Sequence, residues 1–222
     1  MFRDDYISRQ IQIIVQVLAR ILGLSKGREF IDALNLLGMT FREQLGTDLD
    51  TFLTVPDDRM VDFLTMGQTE IVATMHSSMA IALLYTNFKI YQDNGRTEQG
   101  LPYLQKALSL LLEVELAGDN PPELPDFVPM VEDLVGEVDL HQLSTDSRGT
   151  LAFYLEREGD FAEAEKVLRS MLDDRPHDPD VHELVTSFYT YLLDEDDDDL
   201  VKGGLPRGEI LQRLDELKGN AS

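Results

Sequence analysis

The chain has 222 residues, 43% of them hydrophobic, so as one large domain or two small ones it can bury roughly 70% of its unfolded surface. It contains no cysteine, which excludes disulfide frameworks, thiolate metal sites and cysteine nucleophiles. Its net charge of −23 repels phosphate backbones, and no nucleic-acid partner is expected.

The charge is uneven. Residues 1–28 hold five basic groups against two acidic ones, and the remainder holds 14 against 40. The first apolar run, "IQIIVQVLARILGL", is broken by Gln12, Gln16 and Arg20, and Asp4 and Asp5 sit beside Arg3. That pattern is neither a signal peptide nor a bilayer span, so a cytoplasmic protein without a transmembrane segment is expected.

Taken in order, nearly every segment reads as helix. Tyr6, Ile7, Ile11, Ile14, Leu18, Ile21 and Leu22 recur at steps of three and four, with Ile13, Val15 and Val17 widening the apolar face. A face this broad seeks cover, and docking on its own domain or homodimerisation through Ile7, Ile11, Ile14, Leu18 and Ile21 would supply it. "REFIDALNLLG" predicts a short helix ending near Gly38, and "TFREQLG" a brief one after it. "PDDRMVDFLTMG" follows "DLDTFLTV", with Pro56 suited to a first helical turn. A long helix is predicted over 68–93, then a break at "NGR" and another helix with Pro102 near its start.

"GDNPPELP", 118–125, is the clearest internal loop. Helices are predicted near 126–137 and 146–158, then from the glycine corner at 159 to about Asp174, then from Pro179 to 192. "DEDDDD" and "KGGLPRG" predict an acidic flexible loop over 193–205, before a last amphipathic helix at 206–218 that could pair with 179–192. No alternating run reads as a strand, and the fold class is all-α.

The stretch "LEREGDFAEAEKVLRSMLDDRP" forms a hairpin pattern. Gly159 permits the reversal, Ala164 is small where the helices meet, Leu168 and Met171 follow on the same side, and Pro176 ends the unit. With Ala152 and Phe161, residues 145–178 resemble a tetratricopeptide repeat, the helix–turn–helix unit of about 34 residues. Arg148 stands where that family usually has Trp, and Met171 where Ala is common. A weaker copy over 81–114 has Gly95, Gly100, Leu104 and Ala107 at the same spacing, with Phe88 where a small residue is expected. The two corner glycines lie 64 residues apart, so the array is irregular.

The resemblance implies a right-handed α–α superhelix over 66–192, following a helical block at 1–65 and followed by the acidic loop and a C-terminal helix and tail at 206–222. It also implies a concave groove lined by first helices, here carrying Tyr85, Thr86, Lys89, Gln92, Thr150, Phe153, Glu156 and Arg157. The N-terminal block, "YISRQIQIIVQVLARILGL", is similar to the opening of a bacterial family of unknown function.

No catalytic, cofactor-binding or metal-ligating set emerges. "HELVT" lacks the second histidine of a zinc-protease motif, and the other histidines lack ligand spacing. The acidic run lacks the Gly and terminal Glu of a calcium loop. The expected function is a protein- or peptide-interaction module. A homo-oligomeric scaffold is one alternative. Another is a small-molecule-binding or enzymatic helical domain, with a pocket between the N-terminal block and the helix at 68–93.

Overall fold

The apolar spacing of the N-terminal block produces α1 (Phe2–Lys26), and its buried stripe organises the helices that follow. The computed structural model describes residues 2–27, 29–118 and 120–220, apart from the side chains of 2–8 and 218–220. Among the described residues there are twelve α-helices and no strand, so the fold is all-α. The chain forms two compact units, Met1–Val138 and Asp139–Ser222.

In the first unit α1 packs on α2 (Phe30–Leu45) and on α5 (Glu70–Asp93). Ile14, Leu18 and Ile21 are 1%, 9% and 0% exposed within this unit. Three of the five residues expected on a homodimer face are thus covered by the chain's own helices, where each contributes about 1.5–3 kcal/mol. Ile11 is half-buried, and Ile7 lies outside the residues whose side chains are described. Gly23 sits on the exposed side of α1 with nothing within 4 Å of the position a Cβ would take. Gly23→Ala is expected to stabilise the chain by about 0.5–1 kcal/mol, read as a higher urea midpoint, since alanine removes the entropic cost of glycine in a helix.

α2 is one helix where the sequence suggests two. Ala33, Leu37 and Phe41 lie at four-residue steps and are all buried, and that packing carries the helix through Gly38 to a left-handed cap at Gly46. α3 (Leu49–Leu53) and α4 (Met60–Thr65) are short, the first capped by the Asp48 carboxylate accepting from the Thr51 N–H at 2.9 Å.

α5 is buried over most of Ser77–Ile90 because α1, α2, α4 and α6 (Thr97–Glu115) all pack on it. Among the described residues it alone is long and apolar enough to cross a membrane, but 61% of that stretch is buried inside the unit, as in a core helix. The division expected at 65 thus lies inside the first unit, since α5 cannot be parted from α1, α2 and α4 without exposing its core. Gly95 turns α5 into α6 with φ 67°, and Gly100 lets the helices close, since a Cβ there would meet the Tyr91 Cβ at 3.0 Å and Phe88 at 3.1 Å. Glycine here makes room for the large Phe88. α7 is only Val131–Val135, shorter than the helix expected over 126–137, because Pro129 disfavours helical backbone at Val128.

The second unit begins with α8 (Thr145–Arg157), whose N-cap Ser144 accepts from the Ser147 N–H at 3.0 Å. Gly159, at φ 79°, reverses the chain into α9 (Phe161–Asp174), and Ala164, Leu168 and Met171 bury on the pair's shared side. α9 also packs on α10 (Pro179–Leu192), and α12 (Arg207–Asn220) packs on α10, the partner the sequence suggests for it.

The acidic stretch is not the loop expected over 193–205. It carries α11 (Asp197–Lys202), with three aspartates in its first turn, where the helix dipole favours negative charge. Leu200 and Leu205 are fully buried on either side of Gly203. Arg207 secures the turn before α11, donating from Nη1 and Nη2 to the Leu193 and Glu195 carbonyl oxygens at 2.6 Å each and pairing through Nε with Asp197.

Candidate functional site

The side chains expected to line a groove fall in both units. In the first, Thr86 is buried and Tyr85, Lys89 and Gln92 are half-buried on α5. Lys89 Nζ and Gln92 Nε2 each donate to a different oxygen of Glu137 at 2.7 Å, and Lys89 also lies over the Tyr85 ring at 5.9 Å. The Lys89 hydrogen bond holds the Glu137 carboxyl below its usual range against the opposing effect of burial, and Gln92 adds to the lowering. Lys89 and Gln92 are therefore engaged by Glu137, in the chain's own segment after α7.

In the second unit the outcome differs. Phe153, Glu156 and Arg157 line an open cleft of about 750 Å³ together with Glu158, Gly159, Phe161, Tyr191, Glu195, Asp199 and Lys202. Thr150 is not part of it; its hydroxyl donates to the Asp146 carbonyl one turn back at 3.0 Å. Phe153 on α8 and Tyr191 on α10 are 56% and 50% exposed, which is high for aromatic rings bordering the same hollow. Burial first, and then the charge of Glu195, raises the Glu156 carboxyl above its ordinary range. Tyr191 is raised too, chiefly by its hydrogen bond to Glu195.

Hydrogen bonds and ion pairs within the second unit position the walls of this cleft. Arg148 is 4% exposed and donates from Nη1 to the Ser170 carbonyl oxygen at 3.0 Å while pairing with Asp174 at 2.8 Å, tying the start of α8 to the end of α9. His141 Nδ1 meets the other Asp174 oxygen at 2.8 Å. Gly203 fits under the α8–α9 corner, where its carbonyl oxygen accepts from the Ala162 N–H at 2.8 Å. The far wall, residues 193–202, is fixed by Arg207 and the buried Leu200.

Glu158, Tyr191, Glu195, Asp199 and Lys202 are lining residues that sequence reasoning did not single out. One signal was present: Tyr191 follows Arg157 by 34 residues, on the next helix of the same kind.

Two other hollows are present. In the second unit a cleft of about 390 Å³ contains Arg169 and Arg213, and both pair with Glu165, Arg213 at 3.1 Å and Arg169 at 3.9 Å. In the first unit Ile11, Val15, Ile71, Met75, Leu124 and Phe127 border a trough of about 740 Å³ with Glu70, Glu123 and Asp126 at its edge. His76 is not among its lining residues; its Nδ1 lies 3.3 Å from the Leu64 carbonyl oxygen. Among the described residues no group of three or more His, Asp or Glu is placed to hold a metal ion.

No curated protein and no solved structure matches this chain. Its whole length, residues 1–222, matches the Family of unknown function (DUF6483), and the chain belongs to that family.

Proposed function

We propose that this chain is a protein- or peptide-interaction module of the tetratricopeptide-like class, acting in a bacterial cytoplasm, and that it binds its partner in the cleft between α8 and α10. One observation carries the reading: two half-exposed aromatic rings, on α8 and α10, border one open hollow. In the repeat family that residues 145–178 resemble, first helices line the binding groove, and α8 and α10 hold that position in this unit. The left-handed Gly159 and the buried Ala164, Leu168 and Met171 are consistent with that resemblance. Binding by shape and a few aromatic anchors needs no catalytic group.

Selection of a random-peptide phage library on the full-length protein tests this. Peptides that bind wild type are expected to lose at least about tenfold in affinity on Phe153→Glu, because a carboxylate replaces a desolvated anchor. The variant should keep wild-type helicity, since Phe153 is more than half exposed. Peptides that bind both proteins equally would remove the cleft from the account.

A further inference from the structure

The cleft's charges are not balanced. Its two cations are already engaged, Lys202 with Asp199 at 2.7 Å and Arg157 with Glu158 at 3.8 Å. Glu156 and Glu195 face the same hollow, and among the described residues neither is ion-paired. Glu156 is half-buried beside another carboxylate, a costly arrangement in the free protein, since the two repel and Glu156 has lost part of its hydration. The exposed Phe153 and Tyr191 rings offer apolar surface and π faces next to this pair.

From this juxtaposition, and resting on the binding function proposed above, we infer that the cleft takes a protein segment in which an arginine or lysine adjoins an apolar side chain. The cation seats against Glu156 and Glu195, and the apolar neighbour covers Phe153 and Tyr191. A cation between the carboxylates removes their repulsion and replaces the water that burial has taken from Glu156. Its flat face can also rest on an aromatic ring, which favours guanidinium over ammonium. An acidic segment would add a third negative charge, and a neutral one would bury Glu156 further without a partner.

The library selection also tests this inference, with a second variant. Clones lost on Phe153→Glu are expected to share a basic residue next to an apolar one. Synthetic peptides from these clones, measured by fluorescence anisotropy, should bind the double variant Glu156→Gln, Glu195→Gln about tenfold or more weakly. That deficit should shrink as sodium chloride is raised. The two carboxamides keep the shape of the carboxylates, and the thermal melt checks that the fold is retained. Phe153-dependent peptides that are neutral or acidic, or whose affinity the two carboxamides leave unchanged, overturn the ligand chemistry while keeping the cleft as a binding site. If no clone depends on Phe153, both the chemistry and the binding function fall.

Discussion

Gly203→Ala is expected to destabilise the second unit by about 3–5 kcal/mol, since no other described glycine has atoms so close to its Cβ position. A Cβ at Gly203 would collide with the Gly159 carbonyl oxygen and the Phe161 ring, both well inside contact distance. Neither can retreat cheaply. The Gly159 oxygen belongs to the backbone of the α8–α9 corner, and Phe161 is buried at the start of α9. The Ala162 N–H bond to the Gly203 carbonyl oxygen would lengthen or break as the chain moved away. Urea unfolding followed by circular dichroism measures the loss. Gly208→Ala is the control, because nothing lies within 4 Å of its Cβ position and its helix exposes it. A Gly203→Ala protein as stable as wild type would mean that the 203–205 turn does not lie under the corner.

Arg148→Ala is expected to cost about 2–4 kcal/mol. It removes a buried side chain, leaves the Ser170 carbonyl oxygen without that donor, and strips Asp174 of its arginine. The figure sits toward the low end for broken ion pairs because the Asp174 side chain is 35% exposed and water shares its charge. The effect should depend on pH in a definite direction. Hydrogen bonds from His141 and Arg148 hold the Asp174 carboxyl below its ordinary range. A carboxyl lowered by folding stabilises the native state fully above its unfolded pKa, and loses that contribution as pH falls through the folded value. The stability gap between wild type and Asp174→Asn should therefore be widest near neutrality and close in acid, below the ordinary aspartate range. A gap that stayed constant into strong acid would remove the ion pair from the explanation.

The hairpins were legible because their signals are local. Gly159, Ala164, Leu168 and Met171 state a corner and a packing stripe within 13 residues, and Gly95 with Gly100 does the same for α5 and α6. Three features were hidden because distant parts of the chain decide them. α2 continues through Gly38 since α1 and α5 cover Ala33, Leu37 and Phe41, and packing outweighs the weak helix propensity of one glycine. The acidic run folds into α11 since Arg207, ten residues beyond Asp197, gathers its carbonyl oxygens and a carboxylate. The α1 stripe marked a surface that needed cover, but periodicity alone could not say whether that cover lay inside the chain or on another copy.

Half of the candidate site was legible for the same reason. Phe153, Glu156 and Arg157 lie on the hairpin that the sequence announces. Tyr191 and Glu195 lie on the next helix and the turn after it, and their approach depends on how α10 packs against α9. The α5 residues fared differently: Lys89 and Gln92 stand where the pattern wants a groove, but Glu137 reaches them from 45 or more residues away and engages both.

Hydrogen–deuterium exchange on the full-length protein, with and without a selected basic peptide, tests the central claim most directly. Binding should slow exchange in residues 153–159 and 191–202 and leave the first-unit trough at 70–75 and 122–127 unchanged. Protection confined to that trough, or no protection along α8 and α10 under saturating peptide, would contradict the account.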